Sequence, residues 1–476
     1  MNNDQRDTRG EHHDSLMSPH GALTVSPSGL VTPQADNGDG RQRLAVAGDG
    51  LAAAIVDAVR SGDCSALEVS AGYLSVWHAH EPSAVPDEQK AVPAVAVAVA
   101  VGGGGAHAVG VSRERAFAVD MTNWSVVVDG TVVVKVVGSW GGADRAARQL
   151  ARISAGASPE ASGAAIIPPL IGRLDWHHPE RGTTTIATVS GLIEHAHDGW
   201  TWAVDDVLAF VAGGAAPEWP ARLGKLTATL HRSLVSFAQQ DSPRPSGAAM
   251  RTRAEATLEE ALRVTHGDAG DRLRARVPTL KAAFAGIPDD AIGPVFDLHG
   301  DLHVGQILRS SSETERSQAP RYWVVDFDGD PQLSDAERDQ PDFPARDLAH
   351  LLSSIDLVGA VAMKRLGAVD SVVLDWVTSA NSQLLEGYRA ALAEAPADGP
   401  SPRETFDERL LDGFIAEQLL RELVYADRFL PRWQYAPDAA LTFRYQSSAP
   451  HDNGADQQHV SSSKEKPWTP PASTTT

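Results

Sequence analysis

Two short stretches carry residue types and spacings suited to chemistry: "FDLHGDLHVGQILR" and, some twenty residues later, "YWVVDFDGDPQ". Asp301 and Gln306 stand five apart. That is the spacing of H-R-D-x-x-x-x-N in loops that transfer phosphoryl groups, where the carboxylate orients the acceptor hydroxyl and the amide reaches a metal. Here glutamine stands in place of asparagine. Asp326 follows the apolar run "YWVV", at the end of an expected buried strand, where a carboxylate can meet Mg²⁺ bridging phosphates. Asp328, two residues on, faces the same side if the chain stays extended and is then a second metal ligand.

A cation to meet nucleotide phosphates is supplied upstream. Lys135 ends "TVVVK", the place that V-A-I-K occupies on the third strand of protein kinases. Each residue also has a plainer reading: a lysine on a solvated strand edge, or aspartates that cap the next element, as Asp330 before Pro331 and Ser334 can do. The order and spacing of the three features together favour phosphoryl transfer. His299, Asp301 and His303 alternate as a zinc chelate would, but the nearby donors are hard oxygens, which suit magnesium better.

The elements that must position these groups fall in order along 476 residues. Residues 1–45 and 446–476 are polar, rich in Gly, Ser and Pro, and are expected to be unstructured tails. A small α+β unit is expected over 46–112, with a helix at "LAAAIVDAVRSG", an alternating run "AVPAVAVAVAV" and a glycine cluster, Gly102 to Gly105. Next come "NWSVVV" and "TVVVKVV", joined by Asp129-Gly130, a strong hairpin signal because both turn residues tolerate positive φ. Further strands are expected in "IPPLIGRLDW" and "TTTIATVSG". After Asp198-Gly199 the apolar spacing turns helical, in "LGKLTATLHRSLVSF", "LRARVPTLKAAFAG", "DLAHLLSSIDLVGAVAM" and "FIAEQLLRELVYADRF". The expected class is α+β, a β-rich half followed by a mostly helical one.

Composition narrows the partners. Acidic residues outnumber basic ones 62 to 41, a formal charge of −21 that repels nucleic acid. The single cysteine, Cys64, excludes an internal disulfide framework. Neither an export signal nor a membrane-length apolar run is read, so the expectation is a cytoplasmic protein without membrane attachment. A Walker-type phosphate loop is absent.

The blocks "HGDLHVGQILR", "WVVDFDGDP", "RDQPDFPARDLAHLLSSID", "LGKLTATLH", "HAHDGW" and "IPPLIGRLDW" resemble segments of the actinobacterial maltokinases that follow one another along the chain in the same order, over about residues 121–356. These belong to the aminoglycoside-phosphotransferase-like kinases. The resemblance implies a two-lobed protein-kinase-like fold: an amino-terminal cap over 46–112, a nucleotide-binding lobe over 113–195 and a helical lobe over 196–445. It implies ATP and Mg²⁺ as cofactors, Asp301 as the catalytic aspartate, Gln306 and Asp326 as metal ligands, with Asp328 where the family carries glutamate. Lys135 would hold ATP phosphates, and the segment Gly191 to Glu194 would meet adenine. Asp347 would brace the catalytic loop. Asp144 is the nearest carboxylate to replace the family's lysine-pairing glutamate.

The chain departs from the maltokinases near its carboxyl end, "AEQLLRELVYADRFLPRWQY". On a helix Gln418, Glu422 and Tyr425 share one face, while Glu417 and Arg421 share a neighbouring one. Such carboxylate and amide groups suit a polyhydroxylated ligand, and an unpaired glutamate favours an ammonium substituent. Trp433 would stack on a sugar face. The plainer reading is a surface helix with a Glu417–Arg421 ion pair. This tail is more similar to maltokinase-like glucosamine kinases. The expected activity is therefore ATP-dependent phosphorylation of glucosamine. Maltose is the second choice as acceptor, and a nucleotide-binding pseudokinase or scaffold is the reading from another class. Resistance to aminoglycosides rests on fold kinship alone.

Overall fold

The computed structural model describes residues 13–36, 42–79, 113–116, 124–141, 144–156, 166–238, 243–310, 320–394 and 406–445. The alternating run and glycine cluster at residues 91–105 and the tail at 446–476 lie outside these. Contacts divide the described chain into two units, with the change between Glu194 and His195.

The first unit is built on two antiparallel sheets. The stretch expected to be an amino-terminal tail is in fact structured over its described part. Strands β1 (Asp14–Ser18), β2 (Gly21–Val25), β3 (Val31–Asp36) and β4 (Gln42–Leu44) pair in the order β4-β3-β2-β1-β5, with β5 at Glu68–Val69. Few apolar residues are needed, because Leu16, Leu23, Val25 and Val31 all reach one core shared with helix α1 (Leu51–Ser61). Helix α1 stops at Gly62, whose φ of 71° lets its N–H turn back to the Ala58 carbonyl. Its first turn has no side-chain cap of its own. Glu114, distant in sequence, supplies one: its carboxylate accepts from the backbone N–H groups of Gly48, Gly50 and Ala53 at 2.7, 2.9 and 2.8 Å.

The second sheet runs β6-β10-β11-β9-β8-β7. Strand β6 (Tyr73–His78), within the expected cap, pairs with β10 (Leu170–His178) and so joins this sheet. The remaining strands are β7 (Glu114–Ala116), β8 (Trp124–Val128), β9 (Val132–Val136) and β11 (Gly182–Gly191). The β8–β9 hairpin turns at Asp129 and Gly130, with φ of 55° and 67°, as that dipeptide predicts. Helix α2 (Asp144–Gly156) packs on β10 and β11.

The second unit is helical around a three-stranded sheet, β12 (Ala196–His197), β13 (Ile307–Ser310) and β14 (Arg321–Val324). Helices α3 (Gly199–Val211), α4 (Trp219–Val235), α5 (Gly247–Val264) and α6 (Gly267–Ala285) precede the β13–β14 hairpin. A short α7 (Asp335–Arg338) then leads to α8 (Ala345–Leu366), α9 (Ser371–Ala393), α10 (Leu411–Phe429) and α11 (Tyr435–Arg444). Helix α8 is the core: every residue from Leu348 to Met363 is buried. Its polar members are satisfied inside, as Asp356 is by Arg444 at 2.8 and 3.0 Å and by Asn381 at 2.8 Å. No helix among the described residues is long and apolar enough to cross a membrane.

Candidate active site

The site grows from the loop that precedes β13. One face of α8 grips this loop at three points, through Asp347, His350 and Ser354, spaced i, i+3 and i+7. Asp347 accepts from the backbone N–H groups of His299 and Gly300, both at 2.9 Å, and Ser354 Oγ accepts from Val304 N–H at 3.0 Å. Between them, His350 Nδ1 lies 3.6 Å from Asp301 Oδ1. Gly300 takes a φ of 82°, which lets two successive N–H groups point at one carboxylate. Behind Asp347, His231 Nε2–H donates at 3.2 Å, and His231 Nδ1 accepts from the Tyr388 hydroxyl at 2.9 Å. Burial opposes the charge on Asp347, but the bond from His231 and the backbone donors outweigh it and hold its carboxyl below the ordinary range.

Gln306 and Asp326 are set opposite one another by the hairpin. A turn of 3₁₀ helix, Val304–Gln306, runs straight into β13, and the Ile307–Val324 register brings Val325 N–H to the Gln306 carbonyl at 3.0 Å. The Gln306 amide then lies between two carboxylates, 3.5 Å from Asp301 Oδ2 and 3.4 Å from Asp326 Oδ2. Asp326 adopts a φ of 64°, rare for a residue with a side chain. The chain therefore does not stay extended past it, and Asp328 falls in a turn instead of on the same strand face. Alternation is thus no reason to pair the two aspartates.

The alternating histidines do not form a zinc chelate. His299 is fully buried, with Nε2–H donating to the Val325 carbonyl at 3.0 Å and Nδ1 accepting from Asp301 N–H at 3.3 Å. His303 Nδ1 accepts from Gly305 N–H at 3.0 Å. Burial lowers the pKa of His303 to about 3, and the His350 charge adds to the effect.

Burial pushes the Asp301 carboxyl up to about 8; His350 opposes this, while Asp330, Asp326 and Glu422 add to it. On the other side of His350, its Nε2 lies 3.6 Å from Glu422 Oε1. Gln418 Nε2 donates to the same oxygen at 3.2 Å. Burial disfavours the Glu422 charge, but His350 and the bond from Gln418 keep its carboxyl below the ordinary range. Burial raises the Tyr425 phenol, helped by the charges of Glu422, Asp301 and Asp330. An aromatic row completes the wall. Trp433 meets Trp200 edge-on at 5.4 Å, Trp200 stacks on His303 at 5.8 Å, and His303 lies 5.3 Å from His350.

Two carboxyl-terminal expectations are corrected. Glu417 is fully buried and held by Arg253 Nε at 2.9 Å and Arg346 Nη1 at 2.8 Å. It braces α10 against α5 and α8 and is not open to a ligand. Arg421 forms no pair with Glu417; it binds Asp330, which also accepts from Gln332 N–H at 2.8 Å. His350, Trp200 and Ser354 were not singled out from the sequence, although His350 stands three residues after Asp347 in "ARDLAH", the helical spacing for a shared face.

Lys135, Asp144 and Glu194 belong to the first unit. Lys135 sits on β9, opposite Ser125 and Thr188, half-buried on the face away from Val134 and Val136. Asp144 opens α2. Glu194 is exposed three residues after β11 ends.

No family model matches the chain. Curated relatives do. It is 35% identical over 346 residues to a glucosamine kinase of Streptacidiphilus jiangxiensis, covering 70% of this chain and 74% of that protein. The chain belongs to the glucosamine kinase family. A second member, glucosamine kinase of Mycolicibacterium smegmatis, is 32% identical over 88% of this chain and 94% of its own length. A solved glucosamine kinase structure, in complex with glucosamine, ADP and inorganic phosphate, matches with a TM-score of 0.66 and 30% identity, covering 90% of this chain and 93% of that one. The kinase-like fold, with a β-rich amino-terminal part and a helical carboxyl-terminal part, follows from the same likeness.

Proposed function

We propose that the protein transfers the γ-phosphoryl group of ATP to a hydroxyl of glucosamine. The observation that carries this reading is the setting of Asp301. On one side stand Gln306 and Asp326 and on the other the Gln418–Glu422 pair, with His350 3.6 Å from both Asp301 and Glu422.

Asp301 orients the acceptor hydroxyl and takes its proton as transfer proceeds. The loop's backbone bonds to Asp347 and Ser354 fix its position before substrate arrives. Glu422, kept ionised, receives the sugar's ammonium group, and Gln418 steadies it. Tyr425 and Trp433 offer flat faces to the sugar ring. Lys135 is assigned to the nucleotide phosphates and the exposed Glu194 segment to the base, with Asp144 assigned the part of the family's lysine-pairing glutamate.

The donor set fits Mg²⁺. Gln306 and Asp326 are hard oxygen donors, and the amide, turned about its last torsion, presents its oxygen where its nitrogen now meets two carboxylates. Asp328, half-buried in the following turn, is the candidate third ligand. When bound, the cation neutralises charge on the β- and γ-phosphates.

A coupled assay of ADP release with ATP, Mg²⁺ and glucosamine, N-acetylglucosamine, glucose or maltose tests this reading. Turnover is expected with the free amine and far less with the acetylated sugar. No ADP above background with glucosamine overturns it.

A further inference from the structure

We infer that His350 is a positioning residue that couples recognition of the acceptor's amine to the orientation of the catalytic carboxylate. This rests on the reading of Asp301 and Glu422 given above and assigns a role to the group between them.

The ring is 5% exposed and cannot swing away. It is carried by the same face of α8 that fixes the loop backbone through Asp347 and Ser354, and it packs 5.3 Å from His303. Its two nitrogens face different carboxylates at equal distance, Nδ1 toward Asp301 and Nε2 toward Glu422, each at 3.6 Å. The charged and titratable groups around it are Asp301, Asp330, Glu422 and His303.

One imidazole serves both carboxylates only while it carries a proton on each nitrogen; a neutral ring serves one. An ammonium group beside Glu422 takes over compensation of that carboxylate and leaves the ring to Asp301. An acceptor without an amine leaves both carboxylates competing for one ring. The amine is then felt at the reacting hydroxyl through Asp301, in kcat, and not only as affinity. A residue that merely lined the pocket would alter KM alone.

The test measures kcat and KM with glucosamine and with glucose, using the full chain, ATP and Mg²⁺. The wild type is compared with His350→Asn, His350→Gln and His350→Ala, each checked for folding by circular dichroism. Wild type should show a higher kcat with glucosamine than with glucose. The Asn and Gln variants should lose roughly 10- to 100-fold in kcat with glucosamine, at nearly constant KM, and show similar kcat for the two sugars. Added imidazole should restore part of the kcat of His350→Ala. Equal wild-type kcat for the two sugars overturns the coupling even if no variant folds. So does a folded variant within about twofold of wild-type kcat, or a loss confined to KM. A wild type that turns over neither sugar overturns the proposed activity itself, a result distinct from these.

Discussion

Asp301 and His350 meet at 3.6 Å in a buried site where three further carboxylates act on Asp301. The aspartate is thus costly to ionise in the fold. Its raised folded-state pKa means that the native state holds the proton more tightly than the unfolded chain. Stability from this group is complete below the ordinary carboxylate range and is lost as pH rises toward about 8. Asp301→Asn should therefore raise the melting temperature of the cation-free protein, and the gain over wild type should widen between about pH 5 and about pH 8. The same variant should lose roughly 10²- to 10⁴-fold in turnover. Thermal denaturation at several pH values, beside the coupled assay, checks both; a melting temperature that falls at every pH contradicts the first.

Glu417 and Glu422 lie five residues apart on α10 and should respond oppositely to loss of charge. Glu417→Gln takes the charge from a fully buried carboxylate and leaves Arg346, 13% exposed, short of one partner. Breaking a buried pair costs about 3–5 kcal/mol, and less is expected here because Arg253 is 40% exposed and both arginines keep Asp342, so a clear drop in melting temperature should appear. Glu422→Gln should fold nearly as well but raise KM for glucosamine by roughly 10- to 100-fold, the scale of one hydrogen bond to a charged group. Paired melting curves and steady-state kinetics separate the two.

Gly199 opens α3 directly beneath the catalytic loop. A Cβ there would sit 1.6 Å from the Val304 carbonyl oxygen, inside any contact distance. Gly199→Ala must push that loop away from α8, so kcat should fall at least about tenfold, since small displacements of a positioned group are costly. A variant with wild-type kcat would show that the loop gives way without moving Asp301.

In the first unit, Glu114→Gln removes the charge that caps α1 through three backbone donors. Such caps contribute about 0.5–2 kcal/mol. Amide hydrogen exchange over residues 51–61 should accelerate, while the other helices keep their protection.

Much of the site was legible in the sequence because it is local. The five-residue step from Asp301 to Gln306 and the strand end at Asp326 are fixed by one loop and one hairpin. Asp129-Gly130 announces its turn for the same reason: the requirement for positive φ is met by the residues themselves. What could not be read depends on distant partners. Nothing in α10 alone says that Glu417 faces arginines from α5 and α8 while Glu422 faces His350. The strands between Asp14 and Leu44 read as a tail because β1, β2 and β3 each place only one or two apolar residues in a core mostly supplied by others, and β4 places none. The left-handed backbone at Asp326 leaves no mark in composition, and it removed the expected alternation with Asp328.

The grip of α8 on the loop has a consequence for the length of the chain itself. Asp347, His350 and Ser354 work like teeth on a rack, and each residue of helix advances the phase by about 100°. Deleting or inserting a single alanine between Asp347 and Ser354 would preserve every side chain the chemistry uses, yet leave the upper and lower teeth meshing with different parts of the loop. Drift in this segment should tolerate substitution at its apolar positions far better than any change in count.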